Sequence, residues 1–243
     1  MSITCPTLIA AHYPQLCAAV DNYCERTSGS LDAEPINALT NVAFLIAAGF
    51  AWRLHRLHRR GVAAGLVNAV IVTIVIVGLG SFLFHTVATR WAEWGDVLPI
   101  LVFMLLYIWL ALTVFFAWPS WLKLLNVLIF FCVTFYLEAS VPARFLWGGA
   151  LYLPTLVVMI AISSALLRQG SVAVKPLLAA TAVFLLSFSA RTLDMQICSV
   201  FPLGTHFLWH LLNATLLYLL VRAAIIADPA MARTDRMASK DLH

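Results

Sequence analysis

Three histidines carry the first chemical signal in this chain. His85 closes one long apolar run, and Thr205-His206-Phe207-Leu208-Trp209-His210 opens another. His206 and His210 are spaced i, i+4, which stacks two imidazoles on one helix face about 6 Å apart. An imidazole in or near hydrocarbon is costly, so three of them imply a shared partner, most simply a metal ion. Zinc on three histidines keeps a fourth position for water, whose pKa the metal lowers to about 7. Ser81 lies one turn before His85, facing the same cavity, and Asp96 opens the next apolar run after a short connection. Asp96 would move the water's proton to a leaving amine, and the Ser81 hydroxyl would donate to a developing oxyanion. Plainer readings stand beside these. Asp96 caps a helix N-terminus, Ser81 bonds its own helix backbone, and Asn213 makes either a helix–helix hydrogen bond or a contact behind a ligand.

The elements that must position these side chains are membrane spans. The chain has 243 residues, 63% hydrophobic and 11% charged, with a mean hydropathy of +0.94. Soluble domains average about 45–50% apolar and about 25% charged. The fold class expected is therefore all-α membrane protein, a seven-transmembrane helix bundle. A span needs about 20 apolar residues. Candidates run over Asn37–Leu54, Val62–His85, Val97–Ala117, Trp121–Leu137, Phe145–Leu167, Pro176–Ala190 and His206–Ile226. The sixth is short by this count. The domain scheme is an acidic N-terminal segment over 1–36, a transmembrane catalytic domain over 37–227, and a polar tail over 228–243, expected to be disordered. Met1 to Glu34 is polar and mixed, unlike a cleavable signal peptide. No internal repeat is visible, nothing points to nucleic acid, and the oligomeric state is not written in the pattern.

Charge placement orients the bundle. The first connection reads Arg53-Leu54-His55-Arg56-Leu57-His58-Arg59-Arg60; putting it in the cytoplasm puts 11 of the 15 basic residues on that side. Arg26, Arg90, Arg144 and Arg191 remain outside, and Asp228, Asp235 and Asp241 are the acidic residues left inside. The N-terminus is then outside and the C-terminus cytoplasmic. In a bacterial inner membrane the three histidines would lie at one depth, near the periplasmic face.

Several other groups have less specific readings. Asp21, Glu25, Asp32 and Glu34 cluster before the first span, with Arg26 among them. Four carboxylates suit a hard cation such as calcium, or simply a solvated acidic loop. Glu34-Pro35-Ile36-Asn37 leads into a helix carrying Asn41, polar enough to require another polar face. The five cysteines fit no zinc-ribbon spacing; Cys17 and Cys24 could bridge in an oxidising compartment, while free or structural cysteines is the simpler reading. Arg191 and Asp194, at i, i+3, read as an ion pair, with lipid-headgroup contact as the alternative. Glu138 and Arg144 bound a short outer turn.

Taken together, these residues resemble the alkaline ceramidase family, within a superfamily of seven-span hydrolases that includes the adiponectin and progestin-type receptors. The matching pieces are Cys24-Glu25, Glu34-Pro35-Ile36-Asn37 with Asn41, Gly80-Ser81-Phe82-Leu83-Phe84-His85, Asp96, Arg191-Thr192-Leu193-Asp194 and His206–His210. The resemblance implies zinc on His85, His206 and His210, with Ser81 and Asp96 assisting catalysis. It also implies calcium near Asp21, Glu25 and Glu34. The family aspartate falls two residues before the cysteine, whereas Asp21 is three before Cys24, and the family's later asparagine falls near Thr27. The implied activity is zinc-dependent hydrolysis of an N-acyl sphingoid lipid, ceramide-like, to fatty acid and sphingoid base. The alternative is a seven-span lipid receptor or binding protein with a structural zinc. A transporter is disfavoured, because no inverted repeat or paired broken helix is visible.

Overall fold

The computed structural model describes residues 5–58, 61–142, 146 and 149–228. Among these, seven helices are long and apolar enough to cross a membrane: α1 Pro35–Leu57, α2 Ala64–Val87, α3 Arg90–Val114, α4 Ser120–Ser140, α5 Ala150–Arg168, α6 Val174–Gln196 and α7 His206–Ala227. In lipid no water satisfies a free N–H or C=O, so helices are the solution available to such a chain. Some polar side chains within the spans bond back one turn: Thr73 donates to the Ala69 carbonyl at 2.8 Å, and Thr181 to Leu177 at 2.9 Å. Two prolines sit where a missing N–H costs least, while Pro99 lies inside α3. Pro35 is the first residue of α1, and Pro119 immediately precedes α4.

The observed boundaries depart from the apolar count at several places. α1 begins at Pro35 and reaches Leu57, with Asn41 joining its two helical stretches. α6 extends beyond Pro176–Ala190 at both ends, closing with a 3₁₀ turn over Asp194–Gln196. Counting stopped early there because Arg191 and Asp194 lower hydropathy without ending the helix. The expected start of the fifth span, Phe145, and the turn residue Arg144 lie outside the described residues. So does the tail from 229 to 243. Asp228, assigned to that tail by sequence, is instead buried, and its carboxylate accepts from the backbone N–H groups of Val62 and Ala63. It ties the end of α7 to the start of α2.

α7 is the central element, packed against α1, α2, α3 and α6, and over half of its apolar stretch is buried. α4 is peripheral and presents Leu124, Leu125, Leu128 and Tyr136 outward. So large an apolar exposure belongs against lipid. One end of the bundle gathers the N-terminal segment, the C-terminal ends of α2 and α6, and the N-terminal ends of α1, α3 and α7. There the N-terminal segment is stitched to the α2–α3 connection, Val20 N donating to Ala88 O and Arg90 N to Ala18 O. Two disulfides lie at the same end, Cys5–Cys17 and Cys24–Cys198. Cys17 and Cys24 thus do not pair with each other. Folding brings Cys24 beside the α6–α7 loop, 174 residues on, a proximity that local spacing does not encode.

α2 and α3 come into close backbone approach at Gly80 and Gly95. A Cβ on Gly80 would overlap the Gly95 carbonyl oxygen. The next residues in each helix are Ser81 and Asp96, so this contact sets their separation. Gly80→Ala is expected to force the helices apart at a cost of about 1–3 kcal/mol, seen as a lower thermal midpoint for the purified protein in detergent.

Candidate metal centre

The histidine triad forms by convergence of two helix ends. His85 sits in the last turn of α2, and His206 and His210 in the first two turns of α7. Their ring centroids are 4.7–5.0 Å apart. All three are buried, at 0%, 1% and 1% exposure, and one ligand nitrogen from each lies within 4.8 Å of the others. Among the described residues this is the one cluster with the geometry of a metal site.

The hydrogen bonds show which nitrogens remain available. His85 Nδ1 donates to Glu34 Oε2 at 2.6 Å, because a carboxylate can only accept. Its Nε2 is buried without a partner. Thr40 Oγ1 lies 2.8 Å from the Ile36 carbonyl and 3.0 Å from the Asn37 carbonyl, so its proton points that way. The hydroxyl oxygen therefore accepts from His210 Nδ1, 2.9 Å away, and His210 Nε2 is left buried and unpartnered. His206 Nδ1 is the third orphan. Each such nitrogen costs about 1–3 kcal/mol if left unsatisfied. Three clustered imidazoles, those of His85 and His210 with their far nitrogens held by acceptors, are a donor set that suits zinc.

A buried carboxylate holds the α7 ligands in place. Asp194 Oδ1 accepts from the backbone N–H groups of Thr205, at 2.6 Å, and His206, at 2.8 Å, capping α7. Its other oxygen accepts from Cys24 N at 3.0 Å. Gly204 permits this turn: its φ is +66°, and a Cβ there would collide with the Asp194 carboxylate and Cys24. Spacing reads Arg191 and Asp194 as an ion pair, with lipid-headgroup contact as the alternative; the fold adds backbone partners for Asp194. Three backbone amides claim its carboxylate, and the Arg191 guanidinium lies over the rings of Tyr152 and Trp209.

Ser81 and Asp96 are both buried and line one cavity with His210. The Asp96 side chain neighbours Ser81 and leaves Oδ1 without a partner. Asn213 lines the same cavity one turn below His210. This cavity is otherwise mostly apolar, with Phe44, Val77, Phe103 and Trp209 among its walls. On α7 it runs from His210 to Leu220, about 15 Å of helix.

The chain matches the ceramidase family model over residues 18–239. It belongs to the ceramidase family. No curated protein matches the chain. Family membership places it among membrane-embedded hydrolases of lipid amide bonds, with the triad as a site able to hold a metal such as zinc.

The ceramidase resemblance also implied calcium, and the acidic segment gives that no support. Asp21 is exposed, and Asp21, Glu25 and Glu34 do not gather into a cation cluster. Glu25 instead caps α1, both of its oxygens accepting from the N–H groups of Ile36 and Asn37. Glu34 is bonded by Arg26, His85 and Asn37. Burial pushes the Glu34 carboxyl up, but His85, Arg26 and Asn37 outweigh that and hold it below the ordinary carboxylate value. Glu138, expected only to bound a turn, accepts from Leu151 N.

Sequence reading missed Thr40, Arg26 and Tyr23. The Tyr23 ring stacks on His206 at 3.7 Å between centroids, roofing the site. Polar Asn37 and Asn41 flagged the start of α1, and Thr40 lies between them, but no spacing rule ties it to His210. Thr40→Val should preserve the fold and weaken zinc binding about 10–100-fold, measured by competition with a chromophoric chelator.

Proposed function

We propose that this protein is a zinc-dependent ceramidase, hydrolysing an N-acyl sphingoid lipid to fatty acid and sphingoid base at the histidine triad. The observation that carries this is the cluster of three orphaned imidazole nitrogens, joined through His210 to an apolar cavity that Ser81 and Asp96 also line. Zinc held by His85, His206 and His210 would supply Lewis acidity and lower a water's pKa to about 7. Asp96 takes a proton from the attacking water and returns it to the departing amine nitrogen, so that the C–N bond breaks without expelling an amide anion. Ser81 donates to the carbonyl oxygen as negative charge grows there. The cavity below takes the acyl chain. A second apolar cavity shares Phe103, Met104, Thr155 and Leu220 with it and lengthens the apolar path.

Two independent features support a site on the outer, oxidising side, the periplasm in a bacterium. The basic residues concentrate toward the opposite end. Both disulfides lie at the site end, where an oxidising compartment would sustain them. Calcium forms no part of this reading.

Purified protein should release fatty acid from a panel of N-acyl sphingoid lipids, lose that activity on removal of zinc and regain it on zinc addition. Asp96→Asn is expected to slow turnover about 10²–10⁴-fold with zinc content unchanged. Ser81→Ala should slow it about 10²–10³-fold. His210→Ala should lower bound zinc together with activity. A stoichiometric zinc that binds lipid without any turnover would instead favour the receptor reading.

A further inference from the structure

Arg26 is buried at 9% exposure and lies within the acidic segment, beside the wall of the metal site. Its guanidinium collects four oxygens from separate parts of the chain. Nε donates to Glu34 Oε1 at 2.5 Å, Nη1 to the carbonyls of Ser28 at 3.2 Å and Ser30 at 3.5 Å, and Nη2 to the carbonyl of His85 at 3.2 Å. A carboxylate joined by several backbone carbonyls is the ligand chemistry of a hard divalent cation. Here a side chain of the protein fills that position. The same Glu34 carboxylate receives the His85 Nδ1 proton through its other oxygen, so the guanidinium stands one carboxylate removed from a zinc ligand.

We infer that Arg26 is a tethered cation that replaces calcium, holding Glu34 against His85 and so setting the direction of the His85 ligand nitrogen. This rests on the triad holding zinc, as proposed above. A second cation has no place there. Both Glu34 oxygens are occupied, Glu25 is committed to the α1 amides, and a buried guanidinium repels a divalent ion. Arg26 is thus a positioning residue: it touches neither zinc nor substrate and acts through Glu34. Its fixed charge compensates the buried carboxylate, which His85 would otherwise face unbalanced.

The test reads metal binding rather than turnover, so it stands even if the lipid amide proves to be the wrong substrate. Zinc affinity is measured by chelator competition in wild type, Arg26→Lys and Arg26→Gln, each screened for wild-type elution and helicity. Lysine keeps the charge; glutamine keeps a hydrogen-bond donor without it. Arg26→Gln is expected to bind zinc about 10–100-fold more weakly, and Arg26→Lys to recover most of that loss. Millimolar calcium should leave the wild-type thermal midpoint and zinc affinity unchanged. Glutamine matching or exceeding lysine would overturn the positioning role. A saturable calcium-induced shift in wild type that Glu34→Gln abolishes would overturn the replacement of calcium. If zinc does not bind the wild type at all, the underlying metal reading falls instead.

Discussion

A neutral imidazole has two nitrogens, and burying it obliges the protein to find a partner for each. Three imidazoles share this obligation at one end of the bundle, and the surrounding structure follows from how it is met. Glu34 and Thr40 hold the far nitrogens of His85 and His210, so that the near ones turn toward a common centre. Both supporting residues belong to the start of α1 or the residue before it. The first span is therefore as much a part of the candidate metal centre as the two spans that carry the histidines. Its polar opening, costly in a membrane, is explained by that duty.

Backbone constraints do the rest of the positioning. Asp194 caps α7 and grips Cys24 with the same carboxylate, so the N-terminal segment and the first ligand turn are held by one side chain. The Cys24–Cys198 bridge fastens the same junction covalently. At the neighbouring interface Gly80 lets α2 meet the α3 backbone, which brings Ser81 beside Asp96. Tyr23 closes the top. The result is a site walled by helices below and covered by an ordered segment above, with an apolar cavity as its continuation into the bundle.

Charge at this end is balanced locally rather than by solvent. The Arg26 cation lies against the Glu34 anion, and the Asp194 anion lies against three amides and the positive end of α7. Asp96 remains the buried carboxylate with an oxygen unspent, beside the triad and open to the cavity. That contrast separates Asp96 from Glu34 and Asp194, whose carboxylates are engaged by the surrounding chain. An acidic residue count before the first span could not make the distinction, since Glu25, Glu34 and Asp21 look alike in sequence and have three different fates.

Much of this protein is written in local pattern. Hydropathy determined the seven spans because the hydrocarbon thickness demands about 20 apolar residues from any helix that crosses it. The i, i+4 spacing of His206 and His210, and of Ser81 and His85, determined shared helix faces because helical periodicity is local. With the scattered motif around them, these were enough to identify the family. Tertiary structure alone decided what depends on distant segments meeting. It paired Cys24 with Cys198, gave Asp194 to the α7 amides, put Thr40 behind His210, and seated Arg26 in an oxygen cage. A buried carboxylate or guanidinium takes whichever partners the folded chain brings within about 3 Å. Sequence spacing says which partners share an element, and only the packing of elements says which of them are close.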